Sequence, residues 1–209
     1  MKRSVKDISD KAIEKNLKNW LDIAMENPEL WNAGFDWYTD AQDFVYEVYN
    51  KFRERIDGLT PYRVAGTVSA LSPNNKWERN KIDTETVLTA IAEGLSPDMI
   101  KVCTYNPNKL KAFACALGDI EISAKSPKTH SFAMNVGLNS PDHITIDKWH
   151  LRACVGVESE GVYPSVESCT AAQYRRIEAI TAKVAQELHL KGYQAQAIIW
   201  VMIKKVWNR

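Results

Sequence analysis

The chain reads as all-α. Apolar residues recur at helical spacing, alternation with a period of two is almost absent, and Ser, Asp, Pro and Gly stand where helices should start or stop. Ile13, Leu17, Trp20 and Ala24 fall at i, i+4, i+7 and i+11 behind a Ser9 or Asp10 cap, which predicts a first helix. Pro28 ends it or begins the next. Phe44, Val45, Val48, Tyr49 and Phe52 mark a second amphipathic stretch reaching about Ile56, closed by Gly58 and Pro61. From Tyr62 to Leu71 the residues are small and apolar, stopped by Ser72-Pro73-Asn74-Asn75. A helix is expected from Trp77 to Glu93, ending at Gly94, and Ser96-Pro97-Asp98 opens a short one. Pro107 to Leu117 forms another, ended by Gly118, and Lys128 to Val136 a further one. His143 to Ile146 is an extended approach to Asp147, with a helix behind it to about Cys154. Gly156 to Ser165 reads as a loop. A long helix carries Ile177, Ile180, Val184 and Leu188 on one face and stops at Gly192; the last runs from Gln194 to Val206. The total is about nine or ten helices.

A length of 209 residues suits one core or two small subdomains sharing a cleft. The expected division is a lobe over 61–155 and a second lobe from 1–60 with 156–209. A composition of 45% hydrophobic and 25% charged residues excludes long disorder, collagen and coiled coil. No apolar run reaches the roughly 18 residues of a membrane span. Met1-Lys2-Arg3 is basic with no apolar segment behind it, so no signal peptide and a cytoplasmic location (the host's, if viral) are expected. A net charge of +1 excludes a uniformly basic protein and leaves room for a local basic groove. Cys103, Cys115, Cys154 and Cys169 include no C-x-x-C pair. They are expected to be buried thiols, with no structural zinc, iron–sulfur cluster or other cofactor.

The residues that could carry chemistry lie between Ile122 and Arg152. Lys128 begins one helix, and Asp147 stands 19 residues later at the mouth of another. A helix N-terminus favours a carboxylate by roughly 0.3–1 kcal/mol, so Asp147 should stay ionised. A partly buried lysine loses its proton more easily and becomes a nucleophile. Such a pair suits displacement at a sugar C1′, the amine attacking while the carboxylate stabilises oxocarbenium character. Each has a bland alternative: a solvated first-turn lysine, and a plain N-cap. His130 and His150 have no partner at metal-ligand spacing.

Pro127-Lys128-Thr129 with Ile146-Asp147 and Arg152 resembles the helix-hairpin-helix DNA glycosylases of the endonuclease III and 8-oxoguanine glycosylase type. In that family a lysine ends the hairpin and an aspartate follows at a similar interval, in a pattern like V-D-x-H-x-x-R. Upstream, Leu71-Ser72-Pro73-Asn74 is similar to the family's L-S-x-Q segment, whose glutamine fills the gap left by a flipped base. The resemblance covers Tyr62 to Val155, under half of the chain. It implies two helical subdomains around a cleft and double-stranded DNA as the partner. It also implies a base-excision glycosylase, with abasic-site lyase activity open to it. Lys128 and Asp147 are then catalytic. Asn74, Asn75, Lys76, Arg79, Lys125, Ser126, Thr129 and Arg152 contact DNA, and Trp149 and His150 belong to the base pocket. The departures are specific. The two hairpin glycines are replaced by Ala124 and Ser126, and the histidine two places after the aspartate by Trp149, with His150 next to it. Glycines allow backbone N–H groups to approach phosphate closely. These departures fit a degenerate phage-type branch and keep two alternatives open: base modification, such as thymine hypermodification, and non-catalytic binding of DNA or protein.

Overall fold

The computed structural model describes residues 5–156 and 165–207. Among these, nine α-helices and two short 3-10 turns account for the regular structure, with no strand. The helices are α1 Asp10–Met25, α2 Pro28–Phe52, α3 Pro61–Leu71, α4 Trp77–Ala92, α5 Asn106–Leu117, α6 Pro127–Leu138, α7 Lys148–Val155, α8 Ala171–Glu187 and α9 Gly192–Trp207. The chain divides into a terminal unit, Met1–Tyr38 with Pro141–Arg209, and a middle unit, Thr39–Ser140.

The middle unit therefore begins and ends earlier than the 61–155 lobe read from the sequence. Two elements account for the shift. Of the two roles open to it, Pro28 takes the second and opens one continuous 25-residue helix, inside which the division falls. Proline is tolerated there because first-turn N–H groups need no intrahelical partner. Tyr38, Ala41, Val45, Val48 and Phe52 form its buried stripe. In addition, α7 packs against α1 and α9, which carries 141–155 into the terminal unit.

The terminal unit is built on large apolar side chains. Ile13, Leu17, Trp20 and Leu21 of α1 meet Ile177 of α8 and Ile198, Ile199 and Ile203 of α9 in one cluster. Each such side chain contributes about 1.5–3 kcal/mol on burial. Ser9 caps α1, accepting from the Ala12 amide at 3.3 Å, and Thr170 with Gln173 forms a capping box on α8.

The middle unit is built on close approach. α3 is covered by α4, α5 and α6, and every residue from Val64 to Leu71 is buried. Its small residues permit that. A Cβ added at Gly137 of α6 would stand 2.7 Å from the Cβ of Ala65. The buried hydroxyls on α3 find acceptors: Thr67 donates to the Arg63 carbonyl at 2.9 Å, and Ser69 to the Thr129 carbonyl at 2.6 Å.

Helix ends follow the sequence with two exceptions. Gly118 takes a left-handed C-cap after α5 as expected. Gly192 does not end α8 but is the first residue of α9; α8 stops at Glu187, and His189 takes the positive φ of 56°. Pro97–Met99 is only a 3-10 turn. Most of the expected 156–165 loop lies outside the described residues.

Candidate functional site

Asp147 is built as the sequence predicts. Ile144, Thr145 and Ile146 are buried and lie outside any helix, so their backbone groups need partners. Tyr174 of α8 supplies two: its hydroxyl donates to the Ile144 carbonyl at 2.7 Å and accepts from the Ile146 amide at 3.0 Å. The Ile144 amide donates to Glu178 at 3.3 Å. This clamp delivers Asp147 to the N-cap of α7. There Oδ1 accepts from the amides of Trp149 and His150, both at 2.9 Å. The carboxylate is half-buried, fixed, and aligned with the positive end of the helix. In the same unit, the buried Tyr38 hydroxyl donates to Gln196 at 2.9 Å. Burial, and secondarily the negative charge of Asp147, push the Tyr38 hydroxyl far above its ordinary titration range.

Lys128 corrects an expectation. It is exposed rather than partly buried, because it stands in the first turn of α6 ahead of the buried positions, which begin at Ser131. It belongs to the middle unit and Asp147 to the terminal unit. Around it, Lys125 and Ser126 are exposed, and Thr129 donates its hydroxyl to the Ser126 carbonyl at 3.1 Å. The segment between α5 and α6 is anchored by the buried Ile122. Two of its amides are engaged within it: Lys125 N–H donates to the Ser123 hydroxyl at 3.2 Å and Ser126 N–H to the Ser123 carbonyl at 2.9 Å. Where the family's glycines would turn amides toward phosphate, serine holds them within the loop.

The Asn74–Arg79 segment divides into outward and inward residues. Asn74 is exposed in a left-handed turn, with φ 58°, and Lys76 is exposed at the N-cap of α4. Asn75 and Arg79 instead serve a residue that the sequence reading missed. Asp83 is fully buried. It accepts from Arg79 Nε at 2.8 Å, Asn75 Nδ2 at 2.9 Å and the Cys103 amide at 2.8 Å. Three donors around one buried carboxylate compensate its desolvation and fasten the 72–76 turn to the Cys103 loop. A signal was present: Asn80, Asp83, Thr84 and Val87 share helical spacing, which puts the acid on the inner face of α4.

On α7, His150 is fully buried inside the terminal unit and not at a surface pocket. Its Nε2 lies 2.9 Å from the Thr181 hydroxyl, which itself donates to the Ile177 carbonyl, so Nε2 carries the proton. Its Nδ1 has no hydrogen-bond partner among the described residues, and burial pushes its pKa down to about 3. Arg152, expected on DNA, is buried; its guanidinium donates to the Val166 carbonyl at 3.3 Å and to Glu167 at 2.9 Å. Trp149 is half-buried, with Arg152 Cζ 4.6 Å, Lys204 Nζ 5.0 Å and Lys148 Nζ 5.7 Å from its ring centre.

Among the described residues, no group of three His, Cys, Asp or Glu side chains could hold a metal ion. All four cysteines are free, and Cys103 is exposed, against the expectation of buried thiols. Burial pushes the Cys115 thiol up to about 11 and Cys154 higher still. No helix among the described residues is long and apolar enough to cross a membrane.

Fold and site together define an all-helical protein of two units, with a fixed carboxylate at one helix start and an exposed lysine at another. By sequence, the chain belongs to the DUF7178 family, a family of unknown function whose model matches residues 1–206. No curated protein and no solved structure matches it.

Proposed function

We propose that this protein is a DNA base-excision enzyme of the glycosylase type. The observation that carries the reading is the Asp147 carboxylate, held by two amides at the start of α7; Lys128, exposed at the start of α6, supplies the amine. The amine of Lys128, after giving up a proton to solvent, attacks C1′ of the nucleotide. The N-glycosidic bond breaks, and the base departs with the bonding pair and takes up a proton. The carboxylate of Asp147 stabilises the positive charge that develops on the sugar. The C1′–Nζ adduct opens to a Schiff base, which is either hydrolysed or eliminates the 3′ phosphate. Because a Schiff base forms, borohydride tests the reading. Wild type incubated with duplexes carrying damaged or modified bases, and with an abasic site, should yield a covalent adduct that Lys128→Ala abolishes. No adduct with any duplex removes the lysine mechanism.

One set of observations favours a second reading, DNA binding without excision: the 125 and 126 amides are engaged within their own loop, and Asn75 and Arg79 point to Asp83. On that reading, binding weakens steeply with salt while no base is released.

A further inference from the structure

The seven tryptophans of the chain are not used alike. Trp20 and Trp207 are core residues, 1% and 5% exposed, packed edge to face at 5.1 Å. Trp37, Trp149 and Trp200 are half-exposed and meet cations and one another instead. Lys204 Nζ stands 5.0 Å from the centre of the Trp149 ring and 5.8 Å from that of Trp200. Trp200 lies 5.8 Å from Trp37, tilted by 60°. Lys148, exposed in the first turn of α7, comes within 5.7 Å of the Trp149 ring centre. All of these residues belong to the terminal unit, and three of its helices, α2, α7 and α9, present them.

The geometry points to this surface as a docking platform for single-stranded DNA, with bases stacking on the indoles of Trp149 and Trp200 and the backbone phosphates meeting Lys148 and Lys204. Indole faces offer sequence-independent stacking, and ammonium groups beside them attract backbone phosphate. The charge is complementary. Glu167 answers Arg152, whose guanidinium lies against the Trp149 ring, while Lys148 and Lys204 supply the positive edge. The carboxylate of Asp147 faces the amides of α7. The inference deepens the DNA reading by naming where the strand lies, and rests on it for the choice of ligand.

The test is fluorescence anisotropy of a labelled oligothymidylate titrated with the full chain at several salt concentrations. Wild type should bind, and more tightly than it binds an oligomer of abasic sugar-phosphate, which cannot stack. Lys148→Gln with Lys204→Gln should weaken binding about tenfold or more and flatten the salt slope by about 0.7 for each phosphate left without its lysine. Trp200→Leu should erase the preference over the abasic oligomer. Lys183→Gln, on α8 of the same unit and paired with Glu14 rather than set beside an indole, removes one charge and should change neither. Circular dichroism confirms that each variant is folded. The proposal is overturned if wild type binds no oligothymidylate, if the double variant behaves like Lys183→Gln, or if oligouridylate binds tenfold tighter and reassigns the surface to RNA. Loss of the platform with Lys128 trapping intact sinks this inference alone; loss of trapping with strand binding intact sinks the excision chemistry alone.

Discussion

In the terminal unit the fully buried side chains are bulky, among them Trp20, Leu17, Ile13 and Ile203, and its half-exposed indoles lie beside cations. In the middle unit the central helix buries Ala65, Gly66, Ser69 and Ala70, and the polar residues of the α3–α4 turn gather on Asp83. A polar residue in a motif can therefore serve a buried acid, as Asn75 and Arg79 do, while an aromatic residue packed on the core can also meet cations, as Trp149 does. Residue type alone does not separate function from architecture here; the partner of each side chain does.

Bulk matters most in the terminal unit, and the largest effect is expected there. Trp20→Ala should destabilise the protein by about 3–5 kcal/mol, through lost burial and the cavity left behind. Urea denaturation followed by circular dichroism measures it, and a loss under about 1 kcal/mol would remove the large-residue account of the terminal unit. Asp83→Ala tests the middle unit. It leaves the Cys103 amide and the Asn75 side chain without their acceptor and should cost about 3 kcal/mol, part of which Asp83→Asn restores. An unchanged denaturation midpoint would mean that the hub holds nothing together.

Acid acts on both units, since the Ser96 hydroxyl lowers the Asp98 carboxyl in the middle unit, but the two larger shifts sit in the terminal unit. His150 titrates at about 3 when folded against 6.5 unperturbed, so below 6.5 only the unfolded chain takes the proton. The contribution of His150 is constant above pH 6.5 and falls by about 1.4 kcal/mol per pH unit from 6.5 toward 3. Glu14 adds to the loss over a lower window. Hydrogen bonds from Lys183 and Lys18 bring its pKa from 4.5 to about 2, so its contribution is present above 4.5 and disappears as pH falls toward 2. Denaturation at stepped pH should show the slope, and His150→Gln should remove its upper part. The smallest effect belongs to His189, exposed at a φ of 56°. His189→Gly should raise stability by about 1 kcal/mol, since glycine adopts that conformation without a Cβ clash; a fall in Tm would contradict this.

Much of the fold was legible because local signals agreed. Ser9 and Asp147 act as the caps they resemble, Gly118 stops α5, and the small residues of 62–71 announce a helix packed on several sides. The unit boundaries were less legible, because one division falls inside the single helix from Pro28 to Phe52, whose buried stripe runs on through it. Gly192 misled because a glycine can open a helix as well as end one, and the chain reverses at His189 instead. For the candidate site, sequence located the Lys128 and Asp147 helix starts but could not assign burial. Whether Lys128 lies under other helices, or Asn75 turns toward an acid eight residues away, depends on packing between elements. Asp83 escaped notice because an aspartate four residues after an arginine reads as a solvated helix pair.

The excision reading requires Asp147 to do more than cap α7, and Asp147→Asn separates the two roles. Asparagine caps helices about as well as aspartate but carries no charge. The measurement is free-base release from the panel of duplexes, by mass spectrometry, with wild type and Asp147→Asn of matched thermal stability. The expected result is a folded variant whose rate of base release falls about 100- to 1,000-fold, as when charge stabilisation of the transition state is removed. A variant that is folded and releases base at the wild-type rate would contradict the excision reading and leave Asp147 a helix cap.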